Sequence, residues 1–269
     1  MGFTMSESTV ESTGSDARGT SALLNGIAVL RGFSIDEPEL GVSEIAQRVA
    51  LHKSSVSRIL ATLEKAGLVE RDSATRKFRL GLGIISLAGP LLADLDARRV
   101  AYPLLQKLSE RTGETSALMV WNGTESVCVE QVPSRHLVKH TTPLGARYNT
   151  ALSASVEVFL ALDAPTAVQG LLRAGALYLP GLDDAGVEAY LSRLKDVITR
   201  GYAINYGETS IEEVGISAPV YDHRGGVIAA VLISAPRFRI SPDQLPVLGQ
   251  ACRDTALQVT GRLGGTVAR

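Results

Sequence analysis

The stretch from Ser43 to Arg71, SEIAQRVALHKSSVSRILATLEKAGLVER, decides how the chain is read. Ser43 predicts the cap of a short helix whose Ile45, Ala46 and Val49 face one way; "ALHK" interrupts it, and Ser54 predicts the cap of a second helix. In that second helix Val56, Ile59, Leu60 and Leu63 fall at i, i+3, i+4 and i+7, so one stripe is buried, and Gly67 ends it. Burying that stripe turns Lys53, Ser54, Ser55, Ser57 and Arg58 outward at the helix start. Small hydroxyls and one arginine there suit phosphate oxygens and base edges: the helix end favours anions, and short side chains let the backbone approach a groove.

The chain continues as LVERDSATRKFRLG, two short runs around a polar "DSAT" turn, which predicts a β-hairpin with Arg71, Arg76 and Lys77 near its tip. Between residues 45 and 80 eight basic residues face three acidic ones, whereas the whole chain holds 27 against 28. A basic module is hidden in a near-neutral protein. Helix, turn, recognition-type helix and basic hairpin follow one another in the docking order of a winged helix-turn-helix.

Upstream, Leu23, Leu24, Ile27, Leu30 and Phe33 recur at helical spacing from Ser21 onward, and "SIDEPEL" ends that helix. Residues 1–20 carry no apolar signal core and read as a disordered polar tail, with Met5 as an alternative start. Downstream, "LGIISLAGPLLADLD" predicts a linker helix over 83–97 that Gly89-Pro90 should bend. From Arg98 the pattern changes to alternating runs, SALMVWNG, ESVCVEQV, AINYG, GISAPVYD and GGVIAAVLISAP, with helical stretches at 153–163, 184–200 and 243–263. The expectation is an α+β protein: a winged helix-turn-helix over 21–82, the linker, and a domain over 98–266 built on a largely antiparallel sheet.

With 45% apolar and 20% charged residues the 269-residue chain can bury a substantial core. Its two cysteines, Cys128 and Cys252, lie outside any metal-ligand spacing, so neither a disulfide framework nor a metal or other cofactor is expected, and a reducing cytoplasm fits. No apolar run is long enough for a membrane span. Catalysis is not expected: His52, His136, His140 and His223 neighbour no nucleophile motif, and GxSxG, P-loop and GxGxxG patterns are absent. His136 and His140 are four apart but on a non-helical "LVK" spacer, a solvated pair rather than a metal face. Cys128 reads as a small core residue. A winged helix can also serve as a protein-docking module; steep loss of affinity with salt would mark the DNA-binding alternative.

The segment SEIAQRVALHKSSVSRILATLEKAGLVERDSATRKFRLG resembles the IclR-type bacterial transcriptional regulators, and the resemblance continues in SERTGETSALMVWNGTESVCVEQV, RGYAINYGE and APVYDHRGGVIAAVLISAP, covering about residues 21–265. It implies double-stranded operator DNA as a partner, a linker helix, a GAF-like effector-binding domain, assembly as a homodimer or dimer of dimers, and repression more than activation. Leu24, Ile27 and Phe33 become candidate dimer contacts. The implied small-molecule pocket lies on one sheet face, lined by the loop and helix of LGARYNTALSASVEVFLA and by the last strands. Here the chain departs from the family: Asn149 stands where proline is usual, Ala151 where histidine is common, and Val156-Glu157 where Gly-Lys or Gly-Arg is usual. Members that sense small oxo-acids share an aspartate, a cysteine and two serines, at positions that are Asn205, Gly215, Leu232 and Ser234 in this sequence. Losing the acid, the thiol and one hydroxyl predicts a roomier, more apolar site and a larger, partly apolar effector, aromatic or amide-containing. The candidate effector residues are Met119, Trp121, Tyr148, Ala151, Ser153, Asn205, Gly215, Pro219, Leu232 and Ser234.

Overall fold

The computed structural model describes residues 13–34, 36–94, 96–181 and 183–266. The chain divides between Asp94 and Leu95 into two compact units.

In the first unit α1 spans Thr13–Arg31, so the helix begins at Thr13 and not near Ser21; the first twelve residues of the expected tail lie outside the described residues. No proline lies between Thr13 and Ser21, so a helix nucleated by its apolar part can extend back across Gly14 and Gly19. Next come α2 (Val42–Arg48) and α3 (Lys53–Lys65). The caps differ from expectation. Gly41 caps α2, its N–H donating to Glu44 Oε2 at 2.6 Å, and His52 caps α3, which puts Ser43 and Ser54 inside first turns. Glu44, three residues past the cap, serves the orphan N–H that a serine cap leaves to others.

Val56 and Leu60 of α3 are fully buried with Ile45, Val29, Phe33 and Phe78, and Ile59 and Leu63 pack at the edge of that core. Each fully buried aliphatic side chain contributes about 1.5–3 kcal/mol, which holds three helices together without a large sheet. Phe33 belongs to this core, whereas Leu24 and Ile27 are exposed, so Phe33 leaves the set of candidate dimer contacts. The hairpin is β1 (Val69–Arg71) with β2 (Phe78–Leu80), antiparallel in the register Arg71↔Phe78. Leu40 adds a bridge to Phe78. Glycine is required where the hairpin returns: a Cβ on Gly81 would stand 2.4 Å from the Gly67 carbonyl oxygen. The unit closes with α4 (Gly83–Asp94), over most of the expected linker.

The second unit starts with α5 (Asp96–Thr112) and continues β3 (Thr115–Trp121), β4 (Ser126–Val132), β5 (Arg147–Tyr148), α6 (Ala154–Leu160), α7 (Pro165–Arg173), α8 (Asp184–Arg200), β6 (Ala203–Tyr206), β7 (Glu213–Tyr221), β8 (Val227–Pro236) and α9 (Leu245–Arg262). The six strands run in the order β5-β4-β3-β8-β7-β6, every neighbouring pair antiparallel. Alternation sorts the side chains. Leu118, Ile216, Val231 and Ile233 enter the core shared with Leu104, Leu105 and Cys252 of α5 and α9, while Ala117, Met119, Ala230 and Leu232 enter the core shared with α6, α7 and α8. Cys128 is buried as expected, and burial pushes its thiol up to about 12.

Helix α6 is buried along its whole length and carries Glu157 into the core. Arg193 of α8 donates through Nε to Glu157 Oε1, and its guanidinium also serves Glu208 and the Ile204 carbonyl. Glu157 Oε2 has no hydrogen-bond partner among the described residues. One arginine thus faces two carboxylates, and burial pushes the Glu157 carboxyl up to about 8 in spite of Arg193.

Two expectations follow. Ala50, in the turn between α2 and α3, has φ 53, a left-handed conformation costly for alanine. Ala50→Gly should stabilise the first unit by about 1 kcal/mol, read as a higher denaturant midpoint at unchanged slope. Glu157 has a folded pKa above its unfolded value, so the stability it contributes is complete at acid pH and is lost as pH rises toward about 8. The thermal midpoint of the second unit should therefore fall between about pH 5 and 8, and Glu157→Gln should flatten that fall.

Candidate functional site

Two surfaces collect the candidate residues, one in each unit. In the first, the buried stripe of α3 leaves Lys53, Ser54, Ser57 and Arg58 exposed and Ser55 half-buried, all within the first two turns. Arg58 Nε lies 3.4 Å from the Ser54 carbonyl oxygen of its own helix. Arg71 sits 5.4 Å over the Phe78 ring, and Lys77 is drawn toward Glu44 Oε2 at 3.8 Å. Among the described residues Lys53, Arg58, Arg71 and Arg76 make no ion pair, whereas Arg48 pairs with Glu37 and Arg79 with Glu70. Four cations at the start of α3 and on the wing are thus left over.

The wing tip is held by Asp72, the first residue of the polar DSAT turn. Asp72 Oδ1 accepts the Ala74 N–H at 2.9 Å, the Thr75 N–H at 2.6 Å and the Thr75 hydroxyl at 3.0 Å, and the Asp72 carbonyl accepts the Arg76 N–H at 2.9 Å. The Thr75 N–H holds the Asp72 carboxyl below its usual range. Arg76 has φ 60, a left-handed position where glycine or asparagine would be free of strain. A long cationic side chain is thus kept at the tip at a conformational cost.

In the second unit Asn205, Gly215, Ser234 and Thr115 form one cross-strand row through β6, β7, β8 and β3. Tyr148, Ser153 and Leu232 border the same cavity, so six of the ten candidate effector residues come together. Four do not. Met119 and Pro219 belong to the Met119–Ala230–Pro219 row, four residues along the strands and so about 13 Å away. Trp121, a further step along β3, stacks on Phe159 with centroids 5.5 Å apart. Ala151 is core, its carbonyl accepting the Tyr190 hydroxyl at 2.7 Å.

The cavity is smaller than the roomy site that the sequence leads one to expect. It is only about 20 Å³, room for one water, and six of its ten lining residues have polar side chains. His140 and Glu213 border it, with His140 Nε2 3.1 Å from Glu213 Oε2, so His140 is not one of a solvated pair. Thr209 donates to Glu213, Asn205 donates to Thr209, and the Asn205 oxygen accepts the Glu208 N–H at 2.9 Å. Across the cavity Thr142 Oγ1 lies 2.9 Å from Ser234 Oγ and hydrogen-bonds Tyr148, whose phenol burial pushes up. Side chains from the β4–β5 segment and from Glu213 fill the space that a lost acid and thiol were expected to free. The hydrogen bond from His140 holds the Glu213 carboxyl below its usual range.

The helix-turn-helix model of the IclR family matches residues 22–73, and the description "Bacterial transcriptional regulator IclR C-terminal" matches residues 90–261. The HTH-type transcriptional repressor AllR of Escherichia coli is 28% identical over 248 residues, 92% of this chain and 92% of that protein. A solved domain of an IclR-family transcriptional regulator is 63% identical, with a TM-score of 0.63, over 64% of this chain and 99% of that one. An IclR homologue from Microbacterium hydrocarbonoxydans, solved in complex with 4-hydroxybenzoate, is 25% identical with a TM-score of 0.74 over 90% of this chain and 98% of that one. An N-terminal helix-turn-helix followed by an α+β effector half, matched across both parts, means that the chain belongs to the IclR family of bacterial transcriptional regulators.

Proposed function

We propose that the chain is a cytoplasmic repressor that binds operator DNA through the start of α3 and the wing, and releases it when a small molecule occupies the cavity over the Asn205–Gly215–Ser234 row. The observation that carries this reading is the set of cations at the start of α3 and on the wing: Lys53, Arg58, Arg71 and Arg76 make no ion pair among the described residues, and Arg76 is held at the wing tip in a left-handed conformation. In this reading Lys53, Ser54, Ser55, Ser57 and Arg58 face the major groove, and Arg71, Arg76 and Lys77 grip the backbone or the adjacent minor groove. Repression is supported by the name of the AllR relative, and a small-molecule effector by the 4-hydroxybenzoate complex of the Microbacterium homologue. The working species is a homodimer or dimer of dimers, with exposed Leu24 and Ile27 as its contacts in the first unit. No helix among the described residues is long and apolar enough to cross a membrane.

The effector acts by binding one arrangement of the sensor better than another, and its differential affinity sets how far the DNA equilibrium moves. The chain works by binding and not by catalysis, as its family does.

Arg58→Ala should weaken operator binding at least about tenfold while leaving oligomeric state unchanged by sedimentation. Unchanged affinity in a mobility-shift titration would remove Arg58 from the interface. Asp72 supplies a second test. Asparagine can still accept the Ala74 and Thr75 donors and carries no charge, so Asp72→Asn should bind DNA at least as tightly as the parent. Asp72→Ala loses the turn, so it should weaken binding and lower the dependence of log affinity on log salt by about one unit. Tighter binding by both variants would mean that Asp72 only repels DNA.

A further inference from the structure

His140 borders two spaces. On one side is the small cavity bordered by Glu213, Asn205 and Ser234; on the other is an open groove of about 670 Å³, walled by Val138, Tyr206, Ile211 and Phe238. Val138, Ile211 and Phe238 are exposed apolar side chains, 62%, 74% and 77% accessible. The His140 side chain therefore stands between an apolar groove that can hold a small molecule and a polar site that is too small for one.

The backbone and side chain of His140 are held differently. Its carbonyl accepts the Thr115 hydroxyl at 2.6 Å, tying the residue to β3, while its ring is held by Glu213. The ring can turn away without the segment unfolding, and this would join the groove to the cavity. What it leaves behind is the Glu213 carboxylate, with the Thr209 hydroxyl still on Oε1 and one oxygen open. Among the described residues lining the cavity there is no lysine or arginine. The groove holds Lys139 and Arg237, but Lys139 Nζ donates to the Ser134 carbonyl at 3.1 Å, and Arg237 lies 4.7 Å over the Tyr206 ring. An anion entering the cavity would be buried beside a carboxylate with only a histidine to balance both, which is costly. An N–H donor would replace the hydrogen bond that His140 gives up.

Resting on the reading of this cavity as the effector site, we propose that the effector is an amphipathic, nitrogen-headed molecule: its amidinium, ammonium or amide head displaces His140 from Glu213, and its apolar body lies along Val138, Ile211 and Phe238. Glu213 is then the residue that selects against carboxylate effectors, and His140 is the gate.

Three probes with one ring and different heads test this: benzamidine, benzamide and benzoate, titrated calorimetrically into the full chain. Benzamidine should bind at least about tenfold more tightly than benzoate, with benzamide between them. Glu213→Gln should collapse that preference. His140→Ala keeps the carboxylate and removes the partner that must be displaced, so it should tighten benzamidine more than benzoate. The proposal is overturned if benzoate binds as tightly as benzamidine, if the preference survives in Glu213→Gln, if His140→Ala shifts both probes equally, or if no probe binds at millimolar concentration. A mobility shift on DNA from upstream of the gene, run on the same preparations, separates the two readings. Intact DNA binding without the probe preference rejects the ligand class alone; absent DNA binding by the parent rejects the regulator reading beneath it.

Discussion

The pairing of β3 with β8 governs the second unit. It joins residues 115–119 to residues 230–234, the two ends of the sensor sequence, in the register Thr115↔Ser234. Because side chains alternate, that register sends Leu118, Val231 and Ile233 to the face sealed by α5 and α9, and Ala117, Leu232 and Ser234 to the face where the cavity lies. A slip of one residue would exchange the two sets, burying Ser234 under α5 and α9 and exposing Ile233 to the polar site. The same register aligns Ser234 with Gly215, and β6 extends the row to Asn205. At Gly215 the row passes beneath α6, where a Cβ would stand in ordinary contact with Ala154 at 3.6 Å.

The two units solve opposite electrostatic problems. In the first, a small apolar core leaves Lys53, Arg58, Arg71 and Arg76 without an ion pair among the described residues; such a surface gains most from a polyanion that releases counterions on binding. In the second, charges are drawn inward and paired, His140 with Glu213 and Arg193 with Glu157 and Glu208, although one Glu157 oxygen is left without a partner among the described residues. The chain of hydrogen bonds from Arg193 through Glu208 to Asn205, and on through Thr209 to Glu213, links α8 to the cavity wall. A molecule that disturbs Glu213 disturbs a network anchored in the buried helix α6. That gives an effector a route from a small site to whole helices, provided it favours one arrangement of the network over the other.

Much of this was legible in the sequence because it rests on local periodicity. The α3 stripe, the hairpin around residues 72–77, Gly67 as the helix stop (φ 70) and the five long strands follow from i, i+3, i+4 spacing or alternation. The positions Asn205, Gly215 and Ser234 were legible from family spacing, because strand register preserves spacing. Less visible were α7, with two buried apolar residues in nine, and β5, which is two residues long; neither builds a period. The polar half of the cavity was hidden for another reason. His140 and Thr142 come from an irregular segment and meet Glu213 and Ser234 some 70 to 90 positions later, a meeting that no local pattern encodes. Met119, Trp121 and Pro219 share the correct sheet face but stand rows away, because face follows from alternation while distance along the strand follows from register.

The central claim is that the unpaired cations of α3 and the wing exist for a specific duplex. The most direct measurement is binding of the full chain to labelled DNA from upstream of its gene and to an unrelated duplex of equal length, across a salt series. The account requires preferential binding to the upstream DNA and a log-affinity slope against log salt of several units, one for each phosphate neutralised. Equal binding to both duplexes, or affinity indifferent to salt, would contradict it and favour a winged helix that docks on protein.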